Sequence, residues 1–403
     1  MNASKGRLGV IFLTVLIDLI GFGIVIPILP YYAQRFGQHG LGFGLLVGAY
    51  SGMQFVSTNV LGRLSDRWGR RPLLLATMAL NAIGYVGFAL AGSYGVLLAA
   101  RLVSGFAGGN ISVAQAYVAD ITTAEGRSKG MGMIGAAFGL GFIIGPGIGG
   151  FSGHYWGHAA PGLVAASLSL INLALAWRIL PESLHEQHRT HKSMFEFGHF
   201  GDAFAHPELR WLLVVWFIAP VAFAGYTVVL PLYASVAFGW HELQLGYLFI
   251  IIGIVAAIVQ GWGFGRLTKL TGDRPLLIAG LFGMAAGILV VPFAGSTGAL
   301  YGWTVLLALS NSLFGPAVSG MTSVLADPRE QGTVLGVAQS LAALGRLSGP
   351  EVLGTTYDKG GPILAFSVAA GIMALGGFAA MAVPKKDSVR VPLEAIEKAG
   401  TPT

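Results

Sequence analysis

Gly62-Arg63-Leu64-Ser65-Asp66-Arg67-Trp68-Gly69-Arg70-Arg71-Pro72 and Gly265-Arg266-Leu267-Thr268-Lys269-Leu270-Thr271-Gly272-Asp273-Arg274-Pro275 are two versions of one short basic segment, 203 residues apart. Two further matches share this spacing. Gly21 and Pro27 repeat as Gly225 and Pro231, and Gly145-Pro146 repeats as Gly349-Pro350, each at an offset of 204. Separated matches at one offset mark an internal duplication, so the chain is read as two similar halves.

What surrounds the duplicated segments is apolar. Hydrophobic residues make up 54% of the 403 residues and charged residues 10%, against roughly 25% charge in soluble domains. A span needs about 20 mainly apolar residues. Twelve such stretches are expected near 8–30, 42–62, 72–92, 95–119, 130–151, 160–180, 211–235, 243–265, 275–294, 299–325, 332–354 and 362–383. Asp18 interrupts the first stretch, which is also too long for a cleavable signal peptide. Abundant glycine (61 residues) suits helices that pack closely in lipid. No cysteine is present, which excludes disulfides, thiolate catalysis and cysteine-ligated metals.

The organisation expected is an N-terminal six-helix bundle over 1–181, a connector over 182–209, a C-terminal six-helix bundle over 210–383, and a tail over 384–403. With twelve spans, both termini and the even-numbered loops share one side. That side carries 20 of the 24 Lys and Arg, while Arg35 and Lys359 alone lie on the other and Arg101 and Arg346 fall inside spans. The positive-inside rule then places the termini in the cytoplasm, with the connector and tail. The same distribution accounts for the net charge of +6 and leaves no basic face for nucleic acid. Two six-span halves in the same orientation form a parallel repeat about an axis along the membrane normal.

Several residues carry the expected mechanism. Asp18 lies about ten residues into span 1, or about 15 Å at 1.5 Å per residue, near the middle of a ~30 Å core. A lone acid there costs about 2.5–3.5 kcal/mol, a cost that protonation relieves, so Asp18 is the candidate proton carrier. Arg101 in span 4 is its expected partner, either tuning it electrostatically or holding a hydrogen-bond network, without releasing a proton itself. Gly141, Gly145 and Gly149 recur every four residues and form one smooth stripe, with Pro146 favouring a bend. Gln54, Asn110 and Gln115 serve either as helix–helix hydrogen bonds or as cavity groups. Asp120, with Glu125 and Arg127, closes span 4. Arg346 needs a partner from another span, since Glu351 stands about 140° away around the helix; an anionic substrate and a structural brace both fit.

The segment Gly62, Asp66, Arg67, Gly69, Arg70 and Arg71 resembles the loop 2–3 signature of the major facilitator superfamily. Asp18, Gly21, Gly23, Pro27 and Pro30 resemble the span 1 signature of its drug:proton antiporters. Leu97 to Arg101 with Gly105 and Gly109 resembles its span 4 motif, and Gly141 to Gly150 its span 5 antiporter motif. The likeness covers nearly the whole chain and is closest to the tetracycline-resistance-like branch. It implies an all-α membrane protein with two six-helix bundles. The loop 2–3 segment, with Asp120, would act as a conformational switch. Spans 1, 4, 7 and 10 would line the cavity, which makes Tyr226, Asn311 and Phe314 candidates. Tetracycline carriers of that branch have a histidine in span 8 and an acid in span 9. Here Gln260 stands in span 8 and span 9 has no acid, so the expected substrate is an amphipathic drug or metabolite.

The expected activity is export of small amphipathic compounds by proton antiport, in a bacterial cytoplasmic membrane, by a monomer. A facilitator or importer of polar solutes, a lipid flippase and a transport-inactive receptor are the rivals. No enzyme activity, cofactor or metal is expected. No nucleophile–base set converges, and His185, His188 and His191, spaced by three, read as solvated connector.

Overall fold

The computed structural model describes residues 2–122, 124–183, 206–326 and 331–384, which are helical almost throughout, with no strand among them. Span 1 is Asn2–Val25, continued beyond a turn at Pro27 by Leu29–Arg35. Span 2 is Gly40–Trp68 and span 3 Arg70–Ala89. Span 4 is Tyr94–Ala107 and Asn110–Ile121, span 5 Ala124–Trp156, span 6 Ala160–Ile179 and span 7 Pro207–Phe238. Span 8 is Glu242–Ile258, a π-turn over Val259–Gly263, and Phe264–Thr271; span 9 is Asp273–Val290 and span 10 Thr297–Leu325. The final run, Gln331–Met381, turns at Gly361, which divides it into spans 11 and 12. Eight of the helices are long and apolar enough to cross a membrane. Residues 184–205 of the connector, with its three spaced histidines, and 385–403 of the tail lie outside the described residues.

Two expectations about boundaries are corrected. The segment beginning at Gly62 is not a loop. Span 2 stays helical through Trp68, and a single residue, Gly69, separates it from span 3. Span 11 likewise runs on to 360 rather than 354. Backbone hydrogen bonding continues past the apolar window until a residue breaks it, so hydropathy marks the lipid and not the helix.

The breaks reveal the duplication more fully than the sequence does. Every positive-φ residue described is glycine, and the six form three pairs: Gly37 with Gly239, Gly69 with Gly272, and Gly157 with Gly361. The separations are 202, 203 and 204 residues. A side chain is strained in this left-handed region, which is why glycine stands at all six turns. The N-caps repeat too: Ser93 accepts from the Val96 N–H and Ser296 from the Ala299 N–H, 203 residues on.

The two halves meet on the side away from the termini. There the buried clusters mix them: Tyr31 packs among second-half residues such as Tyr226 and Trp240, while Val228 and Leu232 join the cluster of Ile28 and Phe43. Gly44 of span 2 abuts the Pro350 carbonyl, and Gly150 of span 5 abuts Gly246 of span 8. His158 and Glu242 approach to 3.2 Å across the same seam. On the terminus-bearing side the clusters separate. One holds only first-half residues, from Ile11 to Leu180, and another only Leu209, Leu325, Ala326 and Val334. The molecule is therefore closed away from the termini and open toward them.

Candidate functional site

Asp18 lines a cleft inside the first half with Thr14, Phe22, Tyr50, Asn81, Gly108, Asn110, Ile111 and Ala114. Span 4 breaks at Gly108–Gly109, and the new helix begins at Asn110. That break aims the Asn110 amide at the carboxyl group. Asn110 Nδ2 donates to Asp18 Oδ2, and Asn172 Nδ2 of span 6 donates to Oδ1 at 3.3 Å. Asn172 Nδ2 also donates to the Thr14 carbonyl at 2.9 Å, which fixes its position. Asp18 thus sits between two neutral donors. Such a pair can serve a carboxylate, and it imposes no permanent counter-charge.

Arg101 is not its ion-pair partner, and that expectation is corrected. The guanidinium lies over the Tyr50 ring, 4.5 Å from the centroid, and its Nε donates to the Leu46 carbonyl at 3.2 Å. Rise along a helix gives two residues the same depth, but the azimuth of each side chain decides whether they meet. Arg101 turns to span 2. Tyr50 in turn packs 4.8 Å from Phe22 and lines the cleft with Asp18. It stands between the cleft of the span 1 acid and the arginine of span 4.

A second charged network closes the terminus-bearing end of the first half. Arg70 is 6% exposed and meets Asp66 at 2.6 Å and Asp120 at 3.0 Å. Its Nη1 also donates to Ser65 Oγ at 2.5 Å, and Ser183 Oγ donates to Asp120 at 2.9 Å. Gly69 offers no side chain to cap span 3. Glu182, from the end of span 6, accepts from the Arg70 N–H at 2.9 Å and the Arg71 N–H at 3.2 Å instead. A carboxylate at a helix N-terminus satisfies free donors and complements the dipole. Arg71 donates to the carbonyls of Leu180 and Trp177, at 2.8 and 2.6 Å. Arg67 is exposed. Gly62 faces Ser112 of span 4.

The stripe of span 5 lies on span 1. A Cβ at Gly141 would stand 2.6 Å from Leu19 Cβ, and one at Gly145 would stand 2.6 Å from the Ile20 carbonyl oxygen. One at Gly149 would strike the Ile24 carbonyl. Gly23 returns the contact, against the Gly141 carbonyl and Pro146 Cδ. The stripe therefore seats the helix that carries Asp18. The second half repeats the arrangement, with Gly345 and Gly349 of span 11 against Phe217 and Val221 of span 7.

The remaining candidates are dispersed. Gln54 Nε2 donates to the Gly108 carbonyl at 3.2 Å, tying span 2 to the break in span 4. Gln115 is exposed. Tyr226 lies in the core of the second half, 6.2 Å from Phe366 between ring centroids, and its buried hydroxyl has no partner. Phe314 packs on that same core, and Asn311 is half-buried. Asn172, Tyr50, Asn81 and Glu182 were missed. The one amide side chain on the stretch 160–180 was the available signal for Asn172.

The Major Facilitator Superfamily model matches residues 11–270 and 263–403. The tetracycline resistance protein, class C, of Escherichia coli is 33% identical over 369 residues, covering 88% of this chain and 90% of that protein. Major facilitator superfamily domain-containing protein 10 of Bos taurus is 29% identical over 421 residues, covering 91% of this chain and 90% of that protein. The crystal structure of the human organic anion transporter MFSD10 (TETRAN) is similar at a TM-score of 0.71 and 27% identity, covering 94% of this chain and 99% of that one. The chain is a multi-pass, all-α membrane transporter that belongs to the Major Facilitator Superfamily, with the tetracycline resistance proteins among its relatives.

Proposed function

We propose that this transporter exports small amphipathic compounds, as a drug or multidrug efflux carrier, by proton antiport with alternating access. The observation that carries the reading is the setting of Asp18: a carboxyl group on a cleft, midway along span 1, held by Asn110 and Asn172 and by no cation. A buried acid with a fixed cationic partner stays ionised. One held by amides can accept a proton, and with it change the charge of the cavity. The two halves, 1–181 and 210–383, move as bundles about the cavity between them, with 182–209 as the connector and 384–403 as the tail. With the termini in the cytoplasm of a bacterium, the arrangement described above is the inward-open one. Substrate enters from inside, and Asp18 is loaded with a proton after reopening outward. Arg70, Asp66, Asp120 and Glu182 hold the first half together at the inner surface. A monomer suffices, since each half supplies the other's wall.

Purified protein in proteoliposomes with an imposed pH gradient tests this. Asp18→Asn is expected to abolish gradient-driven accumulation of a fluorescent drug while leaving binding in place. Full proton-coupled efflux by Asp18→Asn overturns the assignment. Transport that ignores collapse of the gradient identifies a facilitator, and movement of labelled lipid in place of drug identifies a flippase.

A further inference from the structure

On the side away from the termini, a pair of titratable side chains bridges the two halves. His158 stands in the turn between spans 5 and 6, and Glu242 opens span 8. His158 Nδ1 lies 3.2 Å from Glu242 Oε1, across the seam that must part when this side opens. The Glu242 side chain is 9% exposed and that of His158 38%. Nδ1 itself is buried and makes no hydrogen bond among the described residues, so the carboxylate is the group it faces. The Tyr32 ring stacks on the imidazole, 6.1 Å between centroids, and holds its plane. The ends of the spans on this side carry two acids, Glu242 and Asp358. Asp358 is taken by the Gly40 and Leu41 N–H groups, which leaves Glu242 to the histidine. The elements around the pair bring Tyr31, Tyr32 and Arg35 from Leu29–Arg35, His154 and Tyr155 from the end of span 5, His241 from the turn before span 8, and Tyr301 from span 10, and no further acid. Tyr31 lies 6.5 Å from the His241 ring, and Tyr301 donates to the Gln244 carbonyl at 3.1 Å.

A buried carboxylate is costly without a counter-charge, and a histidine supplies one only when protonated. We propose that His158 and Glu242 form a pH-sensitive latch: a proton taken by His158 from the solution on that side pairs it with Glu242 and holds the two halves closed there. The sign follows from linkage. The carboxylate faces the imidazole only in the closed state, so that state binds the proton more tightly. Closure therefore strengthens as pH falls through the range in which histidine titrates and weakens as pH rises. The latch goes beyond the efflux reading, since it needs neither Asp18 nor a substrate. Under that reading this side is the acidic one, and the gradient then recloses the carrier after the drug has left.

The test is the rate at which a maleimide reaches a cysteine in the seam, in the full chain in detergent, between about pH 5.5 and about pH 8. Val228 is fully buried and packs with first-half residues, so Val228→Cys is reached only when this side opens. Every protein compared carries Val228→Cys and Asp18→Asn, the second to take the cavity acid out of the pH response. The rate with His158 in place is divided by the rate in His158→Gln, which cancels the ionisation of the thiol and of every group the two proteins share. That ratio is expected to be near one at the alkaline end and to fall about two- to fivefold at the acid end, the range of a partly exposed ion pair. Glu242→Gln is expected to follow His158→Gln at every pH. A ratio that stays constant with pH overturns the proposal, as does a fall of the same size in Glu242→Gln, which would assign it to another group. Asp18 is absent from all the proteins compared, so the latch and the efflux reading can each fail alone.

Discussion

The Asp358 carboxylate of span 11 accepts from the Gly40 N–H at 2.9 Å and the Leu41 N–H at 2.8 Å, so the second half caps the first turn of span 2. No side chain of the first half does so, since the N-cap His39 makes no capping bond. The contact exists only while the side away from the termini is closed. An N-cap is worth about 0.5–2 kcal/mol, so Asp358→Ala is expected to shift the equilibrium toward opening on that side by about 2- to 30-fold. The chain has no native cysteine, which makes the measurement direct. A single cysteine at Gln38 should react faster with a membrane-impermeant maleimide in the Asp358→Ala background. Unchanged labelling would show that the cap does not bias the two states.

Gly145 and Gly139 lie on one helix and differ in what they face. A methyl at Gly145 would meet the Ile20 carbonyl and Gly23 Cα at 2.6 and 2.7 Å, both backbone atoms, whereas one at Gly139 meets nothing within 4 Å. Overpacking against backbone costs about 1–3 kcal/mol, while replacing an unconstrained helical glycine by alanine gains about 0.4–1 kcal/mol. Gly145→Ala is expected to lower the thermal midpoint and reduce export, and Gly139→Ala to do neither. Melting in detergent beside a transport assay checks both, and equal midpoints would remove the stripe from the account.

How much of this was legible in advance depends on what each feature requires. The duplication could be read because the second copy of Gly62 to Pro72 keeps Gly62, Arg63, Leu64, Gly69, Arg71 and Pro72, although Lys269 replaces Asp66. The pairs Gly37 with Gly239 and Gly157 with Gly361 could not. Phe36-Gly37 and His39 also recur, as Phe238-Gly239 and His241, but too briefly to stand out, and the neighbours of Gly157 and Gly361 differ. Asp18 stood out as the lone acid of its span. Its partners did not, since depth follows from counting residues while the contact with Asn172, 154 positions away, depends on how spans 1 and 6 pack. The expected Asp18–Arg101 pair failed on the same ground. Arg70 was visible as one arginine among several. Its place at the centre of four neighbours needed the helix to continue through Trp68 and turn at Gly69, where hydropathy had ended the span at 62.

That turn gives a third prediction. Gly69 has φ 101°, and a Cβ there would press on the Glu182 carboxylate. Arg70 needs Nε for Asp120 and Nη1 for Asp66 and Ser65 at once, which an ammonium cannot supply. Arg70→Lys is expected to lose about 1–3 kcal/mol, a range set by charged hydrogen bonds whose acids are partly exposed to water. Glu182→Gln, which keeps an acceptor for one N–H, should lose about half as much. Chemical denaturation in mixed micelles, followed by tryptophan emission, checks the order. Arg70→Lys equal to wild type would show the network to be incidental.

The last prediction separates proton handling from substrate movement. Asn172 holds Asp18 from span 6 and is itself anchored to the Thr14 carbonyl, so Asn172→Val removes one of two donors without opening space. Losing a donor to a buried carboxylate costs about 1–3 kcal/mol, and the cost falls on the ionised form alone. Net export driven by a pH gradient has to pass through that form. Export is therefore expected to fall at least about fivefold in Asn172→Val. Substrate counterflow, in which labelled and unlabelled drug exchange with no net proton movement, does not pass through it and should remain near wild type. Asn110→Val, which removes the other donor, is expected to show the same split. Equal loss of counterflow and of driven export in both variants would instead assign the asparagines to the substrate path and remove Asp18 from proton coupling.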